Sequence, residues 1–470
     1  MLHKKKYISN IILNNFRLKY IGFSLIVLGL ISCSDFVEVD APQNLLIGET
    51  VFEDAATVES AMANIYAKMR DQGMVSGNYG LSALMGMYTD ELDYYLSDTN
   101  YSEIYQHNVM PSNTLLSSWW NEAYKIIYAT NDILKGMENS NSLSLEDQAR
   151  YKGEALFVRG YIHSLLVGLY GAIPYITTTN YLENNVVSRL SVDKVYEHII
   201  TDLSNAVNLL EENDRSGERV IPNRAVANAL LARIYLYTQN WELAEVTSGK
   251  LINTYHLETD IDKVFLKESS GTLWQFKPNG VSDRNTYEAN QFIVRFIPGQ
   301  LYALNSNLLD AFEPGDLRRT QWIDSLTSAD GLVTLEFAHK YKAIFSVTES
   351  LEYSILFRLA EQYLIRAEAR AQLGNSIGSQ NDLNLIRSRA GLPDISVNTR
   401  EELLIAILHE RFVEFFTEQG HRWFDLKRMD KAKEVLSPLK NNWKDTDILL
   451  PLPEMELELN PSLKPQNSGY

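Results

Sequence analysis

Cysteine is almost absent from this 470-residue chain: there is one, Cys33. A single thiol cannot close an intramolecular disulfide, and it cannot build a four-thiolate zinc site or an iron–sulfur cluster. Histidine is scarce too, at eight residues. His409-Glu410 opens like a zincin helix, but Val413 stands where the second His is required, so no metal site is expected. Basic residues fall short of acidic ones, 43 against 60, for a net charge of −17. A surface that acidic, with no basic stripe, repels nucleic acid and excludes it as a partner. Gly249-Lys250 is followed by Leu251, not Ser or Thr, and no glycine precedes it at the spacing of a phosphate-binding loop. No Gly-x-Ser-x-Gly elbow occurs. Neither a catalytic motif nor a cofactor is indicated.

Long hydrophobic runs are missing as well. The apolar stretch Ile21 to Ile31 has eleven residues and, as a helix, spans roughly 16 Å, about half of a bilayer core. It is too short for a membrane span and suits a signal peptide, with Lys4, Lys5, Lys6, Arg17 and Lys19 as its basic leader. With those five set aside, the remaining 38 basic and 60 acidic residues leave −22. Leu30-Ile31-Ser32-Cys33 resembles the bacterial lipobox, in which the cysteine thiol is lipidated and becomes the first residue. Two or three acyl chains anchor stably, at about 0.8 kcal/mol per buried methylene. Residues 1–32 therefore read as a lipoprotein signal peptide and 33–45 as a lipidated tether. Ser34-Asp35, Glu38 and Asp40 resemble the acidic tag of lipoproteins exported to the surface in Bacteroidota.

What the chain does have is helical periodicity. After Ser191, Val192, Val195, Ile199, Leu203, Ala206 and Leu210 recur at three-and-four spacing, one buried helix face. Ser144 to Asp147 and Thr399 to Glu402 have capping-box spacing. Helix pairs are expected at 119–136 with 146–170, at 192–212 with 223–238, and at 357–373 with 379–389; 241–254 lacks an obvious partner. Paired helices with small residues at their crossings resemble tetratricopeptide units. The pair 357–373 with 379–389, distant in sequence, must pack back onto the others to bury its face. Residues 46–470 read as a single, mainly α domain. Two long irregular insertions interrupt it, about 71–118 and 256–356, both rich in tyrosine or tryptophan. From Leu450 a proline-rich extended tail is anchored by Leu450, Leu452 and Leu457. Glu410, Glu414 and Glu418 form one stripe of one helix, a structural stripe that should meet basic partners such as Arg411 or Arg422.

Several longer motifs resemble the SusD/RagB family of Bacteroidota surface lipoproteins. They are Tyr151 to Tyr161 (YKGEALFVRGY) with Leu169 to Pro174 (LYGAIP), and Val195-Tyr196 through Asp202-Leu203 to Ala206. Leu359 to Ala369 (LAEQYLIRAEA) follows, with Leu383 to Arg387 and Arg389 to Gly391. Glu410-Arg411, Glu418, Gly420, Arg422-Trp423 and Asp425-Leu426 come next, and the end of the chain runs Leu450 to Pro453, Asn460-Pro461, Gln466-Asn467 and Gly469-Tyr470. The resemblance covers about 45–470, with Gly160, Leu452 and Ser468 as small departures. These are fold motifs: Arg422 with Asp425 reads as a buried polar pair, and Trp423 as a core aromatic.

The resemblance implies a SusD-like, tetratricopeptide-like scaffold and a non-enzymatic protein. It implies capture of oligosaccharide, or in some members peptide, and delivery to a SusC-like TonB-dependent outer-membrane transporter. Sugar recognition favours flat aromatic faces ringed by amides, carboxylates and arginine. In the insertions, Asp93, Tyr94, Tyr95, Asn100 and Tyr101, with Tyr287, Arg295 and Trp322, are the candidate ligand residues. A glycoside hydrolase, which needs two facing carboxylates, and an adaptor that holds a protein partner are the competing classes.

Overall fold

The computed structural model describes residues 52–279, 285–345, 350–397 and 399–470. Cys33, the signal peptide and the tether lie outside the described residues. From Phe52 to Tyr470 the chain forms one unit.

Its elements follow the hydrophobic pattern. Helix α1 (Ala55–Asp71) buries Val58, Met62, Ile65 and Met69, and α2 (Leu81–Tyr88) is buried all round. Strand β1 (Leu92–Tyr94) and α3 (Thr99–Tyr105) complete the first insertion. Two 26-residue helices, α4 (Thr114–Asn139) and α5 (Leu145–Tyr170), pack together as the first scaffold pair. Ser144 caps α5 by accepting from the Asp147 amide, while its hydroxyl donates to the Asp147 carboxylate. The stripe after Ser191 becomes α6 (Val192–Leu209), with Val195, Ile199, Leu203 and Ala206 inside, and its partner is α7 (Arg224–Tyr237).

Helix α8 (Trp241–Thr254) finds the partner its sequence does not name. It packs both on α7 and on α12 (Leu359–Gln372), more than a hundred residues away. The second insertion lies between them. It contains β2 (Thr272–Phe276), α9 (Tyr287–Phe292), β3 (Tyr302–Leu304), α10 (Ser306–Ala311), α11 (Leu317–Gln321), β4 (Ile323–Thr327), β5 (Thr334–Ala338) and β6 (Ser354–Arg358). The strands of the two insertions make three antiparallel pairs: β1 with β3, β2 with β6, and β4 with β5. Helices α12 and α13 (Ser376–Arg389) form the last pair, and α14 (Arg400–Phe415) lies against both. Thr399 and Glu402 close the full capping box of α14. Helix α15 (His421–Arg428) follows, with Trp423 fully buried. The tail is not wholly extended; a helical turn at Glu454–Leu459 interrupts it, and Leu450, Leu452 and Leu457 are its buried anchors.

Buried ion pairs join elements distant in sequence, and here two pairings differ from the sequence reading. The Glu410–Glu414–Glu418 stripe does not meet Arg411 or Arg422. Glu414 takes Arg318, Arg358 and Arg389, while Glu418 takes Arg358 and Lys340. Glu410 takes Arg318 and Arg387. Arg318 and Lys340 belong to the second insertion, so the stripe clamps that insertion to the scaffold. Arg422 pairs with Asp90 at 2.8 and 2.7 Å, tying α15 to the first insertion, and not with Asp425, whose partners are Arg411 and Arg428. Arg159 and Asp202, from two of the family-like motifs, meet bidentately at 2.7 Å.

Burial also fixes protonation. His163 on α5 stacks on Tyr175, and its Nδ1 lies 2.8 Å from the Arg159 carbonyl while Nε2 accepts from the Ile176 amide. Those partners require the neutral ring with its proton on Nδ1. Burial, reinforced by the Arg159 cation, pushes the imidazole down to about 3. A depressed histidine contributes stability that is complete above the unfolded value near 6.5 and is lost as pH falls toward the folded one. NMR of ¹³C-labelled histidine should therefore find His163 neutral at pH 5; a midpoint near 6.5 would contradict its buried place.

Candidate functional site

The two insertions meet where β1 pairs with β3, Tyr94 opposite Tyr302 and Asp93 opposite Ala303. Beside this ladder lies a cleft of about 310 Å³. Its aromatic wall is Tyr79, Tyr101, Phe296 and Tyr302, and its polar lining is Asn78, Asn290, Gln291, Gln300 and Arg295.

Local chemistry positions each wall residue. Asp98 caps α3 by accepting from the Asn100 and Tyr101 amides at 2.9 and 3.2 Å, which sets the first turn that carries Tyr101. Tyr94 stacks behind Tyr101, ring centroids 5.5 Å apart and 9° from parallel, and its hydroxyl accepts from the Asp98 amide. Tyr79 tilts against Tyr101 at 6.3 Å and remains 45 % exposed. The scaffold holds it: the buried indole of Trp119 on α4 donates to the Tyr79 carbonyl at 2.6 Å. Phe296, 58 % exposed, curls over Gly299, whose φ of +124° and close approach to that ring exclude a β-carbon.

Burial and the neighbouring Tyr79 and Tyr94 hydroxyls, with the Asp98 carboxylate, raise the Tyr101 phenol well above its usual range. It is a neutral hydroxyl at any physiological pH. The Tyr302 hydroxyl is buried beside that of Tyr101, while Gln291 Nε2 donates to the Gly77 carbonyl and its Oε1 is buried with no hydrogen-bond partner among the described residues. Unpaired buried oxygens are uncommon.

Of the candidate residues, Tyr101 and Arg295 line this cleft. Tyr94 backs Tyr101, and Tyr95, half-exposed, extends the ladder through its amide to the Leu301 carbonyl. Asp93 and Asn100 are committed to the loop itself. Asp93 accepts from Tyr105 and Asn305, and Asn100 accepts from the Thr114 amide. Tyr287 borders a separate cavity of about 140 Å³ with Arg70 and Asp71, and its hydroxyl donates to Asp71. Trp322 is a correction. It is 1 % exposed, its indole donates to the Ile261 carbonyl, and Phe265 and the Lys340 ammonium cover its ring, so no ligand can reach it.

Tyr79 and Phe296 belong to the aromatic-rich insertions, but nothing in the sequence alone marks them as cleft residues. Glycines flank both (Gly77 and Gly80, then Gly299), which is a signal of a turn but not of the direction a ring takes. A third cleft, about 420 Å³, lies between α4 and the tail and is lined by Trp120, Tyr124, Tyr128 and Tyr181. It draws on scaffold and tail and on neither insertion.

The lining of the 310 Å³ cleft contains no carboxylate, histidine, serine or lysine among the described residues. Glu91, pushed up to about 8 by burial and the adjacent Asp90 charge, is buried and accepts from the Thr417 amide, away from the cleft. No cluster able to hold a metal ion occurs among the described residues, and no helix there is long and apolar enough to cross a membrane.

Paired helices that hold two insertions around an aromatic, amide-lined cleft define a tetratricopeptide-like helical protein. The chain belongs to the SusD/RagB family. A family model described as starch-binding and associating with the outer membrane matches residues 35–236, and the SusD family model matches residues 317–470. SusD-like protein P2 of Formosa agariphila is 28 % identical over 511 residues, spanning 96 % of this chain and 99 % of the relative. Among solved structures, a SusD superfamily protein from Bacteroides vulgatus has a TM-score of 0.79 at 22 % identity, covering 89 % of this chain and 100 % of that one. A structure described as a laminarin binding SusD-like protein has a TM-score of 0.76 at 21 % identity, covering 88 % and 99 %. These likenesses establish the fold.

Proposed function

We propose that this protein is a surface lipoprotein that captures an oligosaccharide in the Tyr79–Tyr101–Phe296 cleft. It passes the sugar, without catalysis, to a SusC-like TonB-dependent transporter in the outer membrane. The observation that carries this reading is the composition of the cleft. Tyrosine and phenylalanine rings offer faces to sugar C–H groups, and four amide side chains offer partners to hydroxyls. Hydrolysis needs a raised acid facing a second carboxylate, and the described lining supplies neither. About 310 Å³ is the small end of ordinary ligand sites, suited to a segment of a chain whose remainder runs into solvent.

The family's outer-membrane description supports the location, and the lipobox-like Leu30 to Cys33 supplies an attachment atom for a lipid anchor. A barrel partner follows from the family resemblance and is tested by co-purification from outer membranes. The binding claim is tested by calorimetry against a panel of oligosaccharides and peptides, with mass spectrometry of the recovered ligand. Binding of an intact saccharide is expected. Selective binding of a peptide, or turnover of a sugar, would contradict the reading.

A further inference from the structure

Arginines in this protein are committed with little exception. Every other described arginine is hydrogen-bonded or ion-paired within the chain, whereas Arg295 has no such partner among the described residues. It is exposed, and it lines the 310 Å³ cleft as the single charged side chain among the residues that do so. The carboxylates of the loop that carries Tyr101 are already engaged, Asp98 with the Asn100 and Tyr101 amides and Asp93 with Tyr105 and Asn305.

A chain of net charge −17 repels polyanions over most of its surface. A cleft lined without carboxylates, holding one uncommitted guanidinium, reverses that preference locally. Guanidinium matches the planar, two-oxygen geometry of carboxylate, and equally the oxygens of a sulfate ester.

We infer that the saccharide this cleft prefers is anionic, with a carboxylate or sulfate group seated on Arg295 while a neighbouring ring lies against Tyr101 and Tyr79. The inference rests on the saccharide-binding reading and narrows it. Specificity follows from division of labour: the aromatic wall binds any sugar face weakly, and Arg295 selects the charged one.

The test is calorimetry on the wild-type chain and on Arg295→Gln, Arg295→Lys and Tyr101→Ala variants. The probes are oligogalacturonides with free or methyl-esterified carboxylates, alginate oligosaccharides, carrageenan oligosaccharides before and after desulfation, and neutral laminari- and malto-oligosaccharides. A charged member is expected to bind at least about tenfold tighter than its uncharged counterpart, with the advantage shrinking as salt rises. Arg295→Gln should erase that advantage yet keep the weak binding of the uncharged form, and Arg295→Lys should restore part of it. Preference among the free-acid probes assigns carboxylate, and preference among the carrageenans assigns sulfate. Equal binding of charged and uncharged forms, or a preference that survives Arg295→Gln, overturns the anionic inference while the cleft reading stands. Saccharide binding unchanged by Tyr101→Ala, or binding of no probe, overturns both.

Discussion

Replacing Glu414 by Gln is expected to lower folding stability by about 3–5 kcal/mol, read as a shift in the urea unfolding midpoint at constant slope. Glu414 is fully buried on α14 and shares its carboxylate among Arg318, Arg358 and Arg389, with Arg318 at 3.0 Å. Burial alone would raise its carboxyl, but the three guanidiniums outweigh burial and hold it well below the usual carboxylate range. The amide keeps shape and volume and removes the charge, so three cations lose a counter-charge in a dry interior. Glu410, Glu418 and Asp316 compensate in part, since they share Arg318 and Arg358. A loss below about 1 kcal/mol would mean that those neighbours suffice. Because Arg318 and Lys340 come from the second insertion, the variant should also make residues 306–340 the first segment to gain hydrogen exchange.

The second large effect concerns binding. Tyr101→Ala is expected to weaken saccharide affinity by about 30- to 100-fold, roughly 2–3 kcal/mol, with the fold retained. Tyr101 stands at the centre of the wall, backed by Tyr94 and flanked by Tyr79, and is itself only partly buried. Removing it takes away a contact face and leaves Tyr94 without its stacking partner. Calorimetry and circular dichroism on the same samples separate loss of ligand from loss of structure. Tyr181→Ala, in the 420 Å³ cleft, is the matched control and should bind as the wild type does. Loss of secondary structure in Tyr101→Ala would show a packing residue.

Much of the scaffold is legible in the sequence because it depends on local rules. The stripe at 192–210, the capping box at Thr399 and the small residues at helix crossings each act within a few residues, and each becomes the element its pattern implies. Long-range pairing is not legible. The Glu410 stripe calls for cations, but its partners come from residues 318, 340, 358, 387 and 389, and folding, not proximity in the chain, brings them there. Arg422 likewise turns to Asp90, more than three hundred residues away, and not to Asp425 three residues on.

The site divides the same way. Asp93 to Tyr101 is recognisable as an aromatic–polar loop, yet the chain alone cannot tell Tyr101, which faces the cleft, from Asn100, which fastens the loop. Trp322 has the composition of a sugar platform and the environment of a core residue. Tyr79 and Phe296 reach the cleft through glycine turns whose ring direction depends on Trp119 and on the close approach at Gly299.

A crystal structure of the protein with the tightest-binding oligosaccharide of the panel tests saccharide capture in this cleft most directly. An intact glycan is expected, with a sugar ring against Tyr101 and Tyr79 and its hydroxyls near Asn78, Gln291 and Gln300. A glycan seated in the 420 Å³ cleft by Tyr128 and Tyr181, or a cleaved product, would contradict it.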